Sequence, residues 1–157
     1  MRQLGPRDLR PCCASAAWVT AVAGRGPYAD LGELLKAGEA ALAELDWDGV
    51  LEALAAHPRI GERAAGGGRE AGWSRAEQSG AAAAGDAVLG AIHEGNAAYE
   101  SRFGHVYLVC ATGRTAEEML GLLRERLDND EETEREVVRA ELSKIVALRL
   151  AKLWEGR

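Results

Sequence analysis

One stretch of this chain, Val106 to Ala111 ("VYLVCA"), has strong β character, and a single short run has no partner with which to build a sheet. Almost everything around it follows helical spacing. Leu31, Leu34, Leu35, Leu42 and Leu45 recur on one face behind Asp30, which is placed as an N-cap. Asp46 precedes Trp47, Val50, Leu51 and Leu54 at i, i+3, i+4 and i+7. Pro11 interrupts the first apolar segment, which predicts a short turn and then a helix from about Ala14 to Ala23. Leu89, Ile92, Asn96, Tyr99 and Phe103 share a face, and Thr115 with Glu118 forms a capping box ahead of "AEEMLGLLRERL". "NDEETEREVVRAELSKIVALRLAKLW" supplies a long last helix. The expected fold is therefore all-α: a single-domain bundle, 1–157, of about seven to eight helices with one short buried extended segment.

Length and charge narrow the function classes. A chain of 157 residues holds one core and leaves no room for a second catalytic domain. Its 19 basic residues are scattered among 25 acidic ones, for a net charge of -6, which argues against nucleic acid as a partner. No apolar run is long enough for a membrane span, and a secretion signal is absent. Cys12, Cys13 and Cys110 make an odd set without CxxC, so neither a disulfide framework nor a thiolate metal site is expected. A reducing, cytoplasmic setting follows. Aromatic content is low at 5%, which makes Trp18, Trp47, Trp73 and Trp154 the expected packing anchors.

The groups able to do chemistry are few. Pro58 forces His57 out of helical geometry, so the helix from Trp47 ends near Ala56 and the imidazole emerges at the end of an apolar face. Burial would lower its pKa and the helix C-terminus would raise it, leaving a group able to give and take a proton near neutrality, or simply a histidine packed at a helix end. A polar, Gly-rich loop follows, through Gly68. Ser74 and Glu77 then read as a capping box that restarts a helix, whose free N–H groups could also hold a carbonyl or anion, with Gln78 adding a donor and an acceptor. Arg149 falls on the apolar stripe of the last helix, four after Ile145 and four before Leu153, and there it needs either a protein carboxylate or an anionic substrate. Asn96 is a satisfied core amide or a ligand contact. No HxxxH or HExxH pattern joins His57, His93 and His105, so no metal is expected; no nucleophile elbow surrounds Ser74, Ser79 or Cys110.

Five pieces in order carry a resemblance: "RGPYADL" at 25–31, "HPRIG" at 57–61, "WSRAEQSG" at 73–80, "NAAYESRFGHVYLVCATGR" at 96–114 and "ELSKIVALRL" at 141–150. Together they resemble the 2-oxo-4-hydroxy-4-carboxy-5-ureidoimidazoline (OHCU) decarboxylase family, whose members convert that ureido acid to (S)-allantoin in urate catabolism. The resemblance implies an all-α, cofactor-free enzyme, often a homodimer, acting on a small molecule. It puts the general acid/base on His57 and the substrate-orienting carboxylate on Glu77. It puts substrate contacts on Pro58, Ser74, Gln78, Arg149 and the backbone-rich run Leu108, Val109, Cys110, Ala111 and Thr112. Some relatives carry a basic residue where this chain has Thr112. The rivals are a non-catalytic helical ligand-binding domain and a decarboxylase of a related ureido or imidazoline acid.

Overall fold

The computed structural model describes residues 1–62, 68–82 and 84–157. Among the described residues the secondary structure is helical, in nine elements: α1 (Pro6–Leu9), α2 (Ala16–Arg25), α3 (Leu31–Ala43), α4 (Trp47–Leu54), α5 (Arg69–Glu77), α6 (Ser79–Ala82), α7 (Asp86–Phe103), α8 (Ala116–Arg126) and α9 (Glu131–Glu155). Two of them are single turns of four residues, which leaves seven longer helices, as the periodicity predicts. No described helix is long and apolar enough to cross a membrane.

The helix starts obey local chemistry. Asp30 accepts the Glu33 N–H at 2.9 Å and Asp46 accepts the Gly49 N–H at 2.8 Å, both as N-caps. Thr115 and Glu118 close their capping box reciprocally, at 3.1 and 3.3 Å. The second helix begins at Ala16 rather than Ala14, because Ser15 has the extended backbone of an N-cap and accepts the Trp18 N–H. The larger correction falls on "WSRAEQ". Ser74 starts no helix: it lies inside α5, and the Gly72 N–H already bonds to the Gly68 carbonyl. Gly68 has φ +99, so it turns the chain into the helix six residues earlier than the capping-box reading placed it. Residues 63–67, which carry most of the expected Gly-rich loop, lie outside those described.

The chain forms two compact units. The first comprises 1–56 and 139–157. Its core is built around Trp18, which is fully buried and donates its indole N–H to the Gly38 carbonyl at 3.0 Å. A Cβ on Gly38 would come within 2.7 Å of Leu150, so this approach of α3 to α9 requires the missing side chain. Arg139 donates to the Leu45 carbonyl at 2.8 Å, fixing the turn between α3 and α4.

The second unit, 57–138, has its core in Ile60, Ile92, Tyr99, Tyr107, Val109, Met119 and Leu123, with smaller residues between them. α7 and α8 pack so closely that a Cβ on Gly95 would lie 2.4 Å from Leu123. The run 106–111 crosses this core as the buried extended segment that its isolation predicts, with Tyr107 to Ala111 buried and, among the described residues, no strand partner.

Candidate active site

The site begins with the loop that carries His57. α4 ends at Leu54, and the backbone leaves helical geometry ahead of Pro58, as the His-Pro pair requires. His57 and Pro58 are half-buried. The three residues that follow are fastened by side chains from the end of α5 and from α7. The Gln78 side chain donates to the Arg59 carbonyl at 3.3 Å and accepts the Gly61 N–H at 3.1 Å. Asn96, on α7, donates to the Ile60 carbonyl at 2.9 Å. Glu100, one turn further along α7, takes the Arg59 guanidinium at 2.9 Å, and Glu62 lies 3.6 Å from it. The hydrogen bonds and charge of Glu100, and then the charge of Glu62, hold the Arg59 pKa above its ordinary value. Gly61 has φ +91, a conformation that side chains rarely adopt, and it is the point at which the loop turns.

Gln78 is thus a physical link between "HPRIG" and "SRAEQ". It follows the last residue of α5, its own N–H bonding back to the Ser74 carbonyl at 3.2 Å. The N–H groups after Ser74 therefore belong to a helix interior and are not a free anion cradle, contrary to the expectation from the capping box. Glu77 is half-buried at the C-terminal end of α5, not at an N-terminus.

Beside this link lies a cavity of about 310 Å³ lined, among the described residues, by Gly61, Glu62, Ser74, Arg75, Gln78, Ser79, Ala81 and Leu89. The volume is at the lower end of the range of ligand pockets, about 300–1,000 Å³, and suits a small molecule. Ser74, only 5% exposed, supplies a hydroxyl, while Arg75 adds a cation that the sequence reading did not single out. Its signal was available, since Arg75, Gln78 and Ser79 stand at i, i+3 and i+4.

Gly80 connects this region to the extended segment. A Cβ there would meet the Arg114 carbonyl oxygen at 2.1 Å, so α6 lies directly against the backbone that follows Thr112. Leu108, Val109, Cys110 and Ala111 are buried, whereas Thr112 is exposed at the turn. The Leu108 carbonyl accepts from Arg126, a residue buried with Glu134 and absent from the sequence reading.

His57, Pro58, Ser74, Glu77, Gln78 and 108–112 all fall within the unit 57–138. Arg149 belongs to the other unit, where it is 2% exposed and donates to the Pro11 carbonyl at 3.0 Å. Burial on the apolar stripe is as expected, and this partner is a backbone oxygen. Asn96 is the satisfied amide only in part: its N–H is used, and its Oδ1 has no hydrogen-bond partner among the described residues. Among the described residues no group of three His, Cys, Asp or Glu side chains could hold a metal ion.

Comparison with known proteins agrees with this architecture. Residues 6–151 match the pattern of the OHCU decarboxylase family. The chain is 32% identical over 158 residues to the uric acid degradation bifunctional protein TTL of Arabidopsis thaliana, covering 99% of this chain and 49% of that protein. It is 38% identical over 98 residues to the 2-oxo-4-hydroxy-4-carboxy-5-ureidoimidazoline decarboxylase of Amia calva, covering 60% of this chain and 55% of that protein. The chain thus spans about half the length of the curated relatives it matches. A crystal structure of OHCU decarboxylase in the presence of (S)-allantoin superposes with a TM-score of 0.83 at 31% identity, covering 94% of this chain and 97% of that one. The fold is shared with (S)-allantoin synthase, TM-score 0.71 at 21% identity, over 94% of this chain and 49% of that one.

Proposed function

Since the chain belongs to the OHCU decarboxylase family, we propose that it decarboxylates OHCU to (S)-allantoin in urate catabolism, protonating the product on one face. The observation that carries this reading is the fastening of "HPRIG" to "SRAEQ" by Gln78 beside a cavity of about 310 Å³. A reactive histidine needs a loop that does not wander, because proton transfer falls off steeply once donor and acceptor leave hydrogen-bond distance.

The chemistry asks little beyond placement. The substrate carboxylate sits on a carbon next to a ring C=N. When the bond to CO₂ breaks, its electron pair enters the ring and the imine nitrogen takes up a proton. The ureido-bearing carbon is then protonated from one side while the neighbouring hydroxyl gives up its proton and becomes the carbonyl. In this reading His57 moves the protons and Glu77 orients the ring or grips the ureido N–H groups. Pro58, Ser74 and Gln78 line the substrate, and Leu108 to Thr112 form a backbone-rich wall. Arg149 holds the anionic oxygens. The same reading makes the protein a cofactor-independent, cytoplasmic homodimer.

The test is to supply freshly generated OHCU and follow optically active allantoin by circular dichroism, against spontaneous decay, which gives racemate. His57→Asn and Glu77→Ala are each expected to abolish the chiral signal while the far-ultraviolet spectrum stays helical. A wild-type protein giving no chirality above the spontaneous reaction would sink the activity, and near-normal turnover by either variant would sink that residue's role.

A further inference from the structure

The run 106–111 is extended and, from Tyr107 to Ala111, buried, and among the described residues no strand lies beside it. A buried charge pair gives it one fixed point. Arg126, 6% exposed at the end of α8, donates Nη1 to the Leu108 carbonyl at 2.5 Å. Its other edge grips Glu134, which is fully buried on the first turns of α9, through Nε at 2.8 Å and Nη2 at 2.5 Å. Tyr99 donates its hydroxyl to the same carboxylate, and Asn129 donates to Oε1 at 3.1 Å. The guanidinium lies over the Tyr107 ring, 4.8 Å from its centroid, and the Tyr107 hydroxyl in turn holds the Met119 carbonyl at 2.9 Å.

An ion pair removed from water adds little net stability, and apolar side chains of similar volume often do as well or better. What such side chains cannot do is hold a carbonyl at a fixed point. Glu134 locks the plane of the guanidinium, and that plane sets the direction of the remaining N–H toward Leu108.

We propose that Arg126 and Glu134 are positioning residues for the reaction: together with Tyr99 they set the placement of the wall formed by Leu108 to Thr112. This rests on the decarboxylase reading for its kinetic part alone.

The test uses two proteins and two readouts. Tyr99→Phe/Arg126→Met/Glu134→Leu removes both charges and the Tyr99 hydroxyl at once, so no buried charge is stranded. Arg126→Lys keeps the charge but not the fork. In both, amide hydrogen exchange at Val109 to Thr112 is expected to quicken by about tenfold or more while exchange in α3 is unchanged. The KM for OHCU is expected to rise about tenfold with kcat within about threefold, Arg126→Lys showing the smaller effect. Unchanged exchange at Val109 to Thr112 overturns the proposal, as does quickened exchange with unchanged KM. If the triple variant does not fold, Arg126→Lys decides by the same two criteria. If the wild type makes no chiral allantoin, the activity is wrong, and exchange alone decides whether the pair places the wall.

Discussion

The Gln78 side chain accepts the Gly61 N–H at 3.1 Å while donating to the Arg59 carbonyl at 3.3 Å, so one amide spans a tight turn of a loop seventeen residues away. An amide is suited to this, because it carries a donor and an acceptor on one planar group. Two backbone groups that water would otherwise solvate are held at a set separation, and the histidine just before them inherits that order.

Gln78→Ala is therefore expected to cost about 1–2 kcal/mol in stability, the net worth of two modest hydrogen bonds. The larger loss is expected in kcat/KM, by about tenfold or more. Urea unfolding and steady-state kinetics check the two parts separately. Loss of stability without loss of kcat/KM would show that the tie serves only the fold.

Gly80→Ala is expected to destabilise the second unit. The new Cβ would lie 2.1 Å from the Arg114 carbonyl oxygen, a backbone atom that cannot swing aside. Overpacking of this kind costs about 1–3 kcal/mol, which calorimetry would read as a lowering of the melting temperature by several degrees. A melting temperature equal to that of the wild type would show that α6 does not press on the turn after Thr112.

For Arg149→Lys, weakened use of substrate without loss of fold is expected. The guanidinium already donates to the Pro11 carbonyl, and a lysine ammonium cannot offer the planar fork needed to serve a second oxygen as well. A rise in KM with a helical spectrum supports this, and an unchanged KM contradicts it.

The acid limb of stability is expected to depend on Asp130. Its carboxyl is held below the ordinary carboxylate value, first by the Thr133 backbone N–H, which it accepts at 2.7 Å, and then by the Thr133 side chain. A carboxylate stabilised in the folded state contributes above its unfolded pKa, and that contribution disappears as the pH falls through the folded value. The stability difference between wild type and Asp130→Asn should thus be constant above about pH 5 and shrink below about pH 4. A difference that does not vary with pH would mean that the Asp130 charge adds nothing to the start of α9.

The local grammar of the chain was legible without coordinates. Asp30, Asp46 and Thr115 cap helices because a short polar side chain can reach the N–H groups of its own first turn, and Pro58 stops one because its ring excludes helical geometry for His57. The isolation of "VYLVCA" among helical periodicities likewise settled that it would be an extended segment without a sheet. Ser74 and Glu77 show the limit of such reasoning. Their spacing satisfies a capping box, yet the turn at Gly68 starts the helix earlier and puts the pair at its other end.

Tertiary structure decided the rest, because those interactions join residues far apart in the chain. Glu134 stands on the same stripe as Val138, Leu142 and Arg149, and Arg126 follows Leu123 on the apolar face of α8, so each could have been suspected of burial alone. That they pair with each other, and that the pair reaches Leu108, depends on how α8 and α9 place them. The same holds for Gln78, whose two partners are backbone groups indistinguishable in sequence from any others. Caps and periodicity are written in side-chain type at short range; a tie to a backbone carbonyl leaves no mark on the residue that receives it.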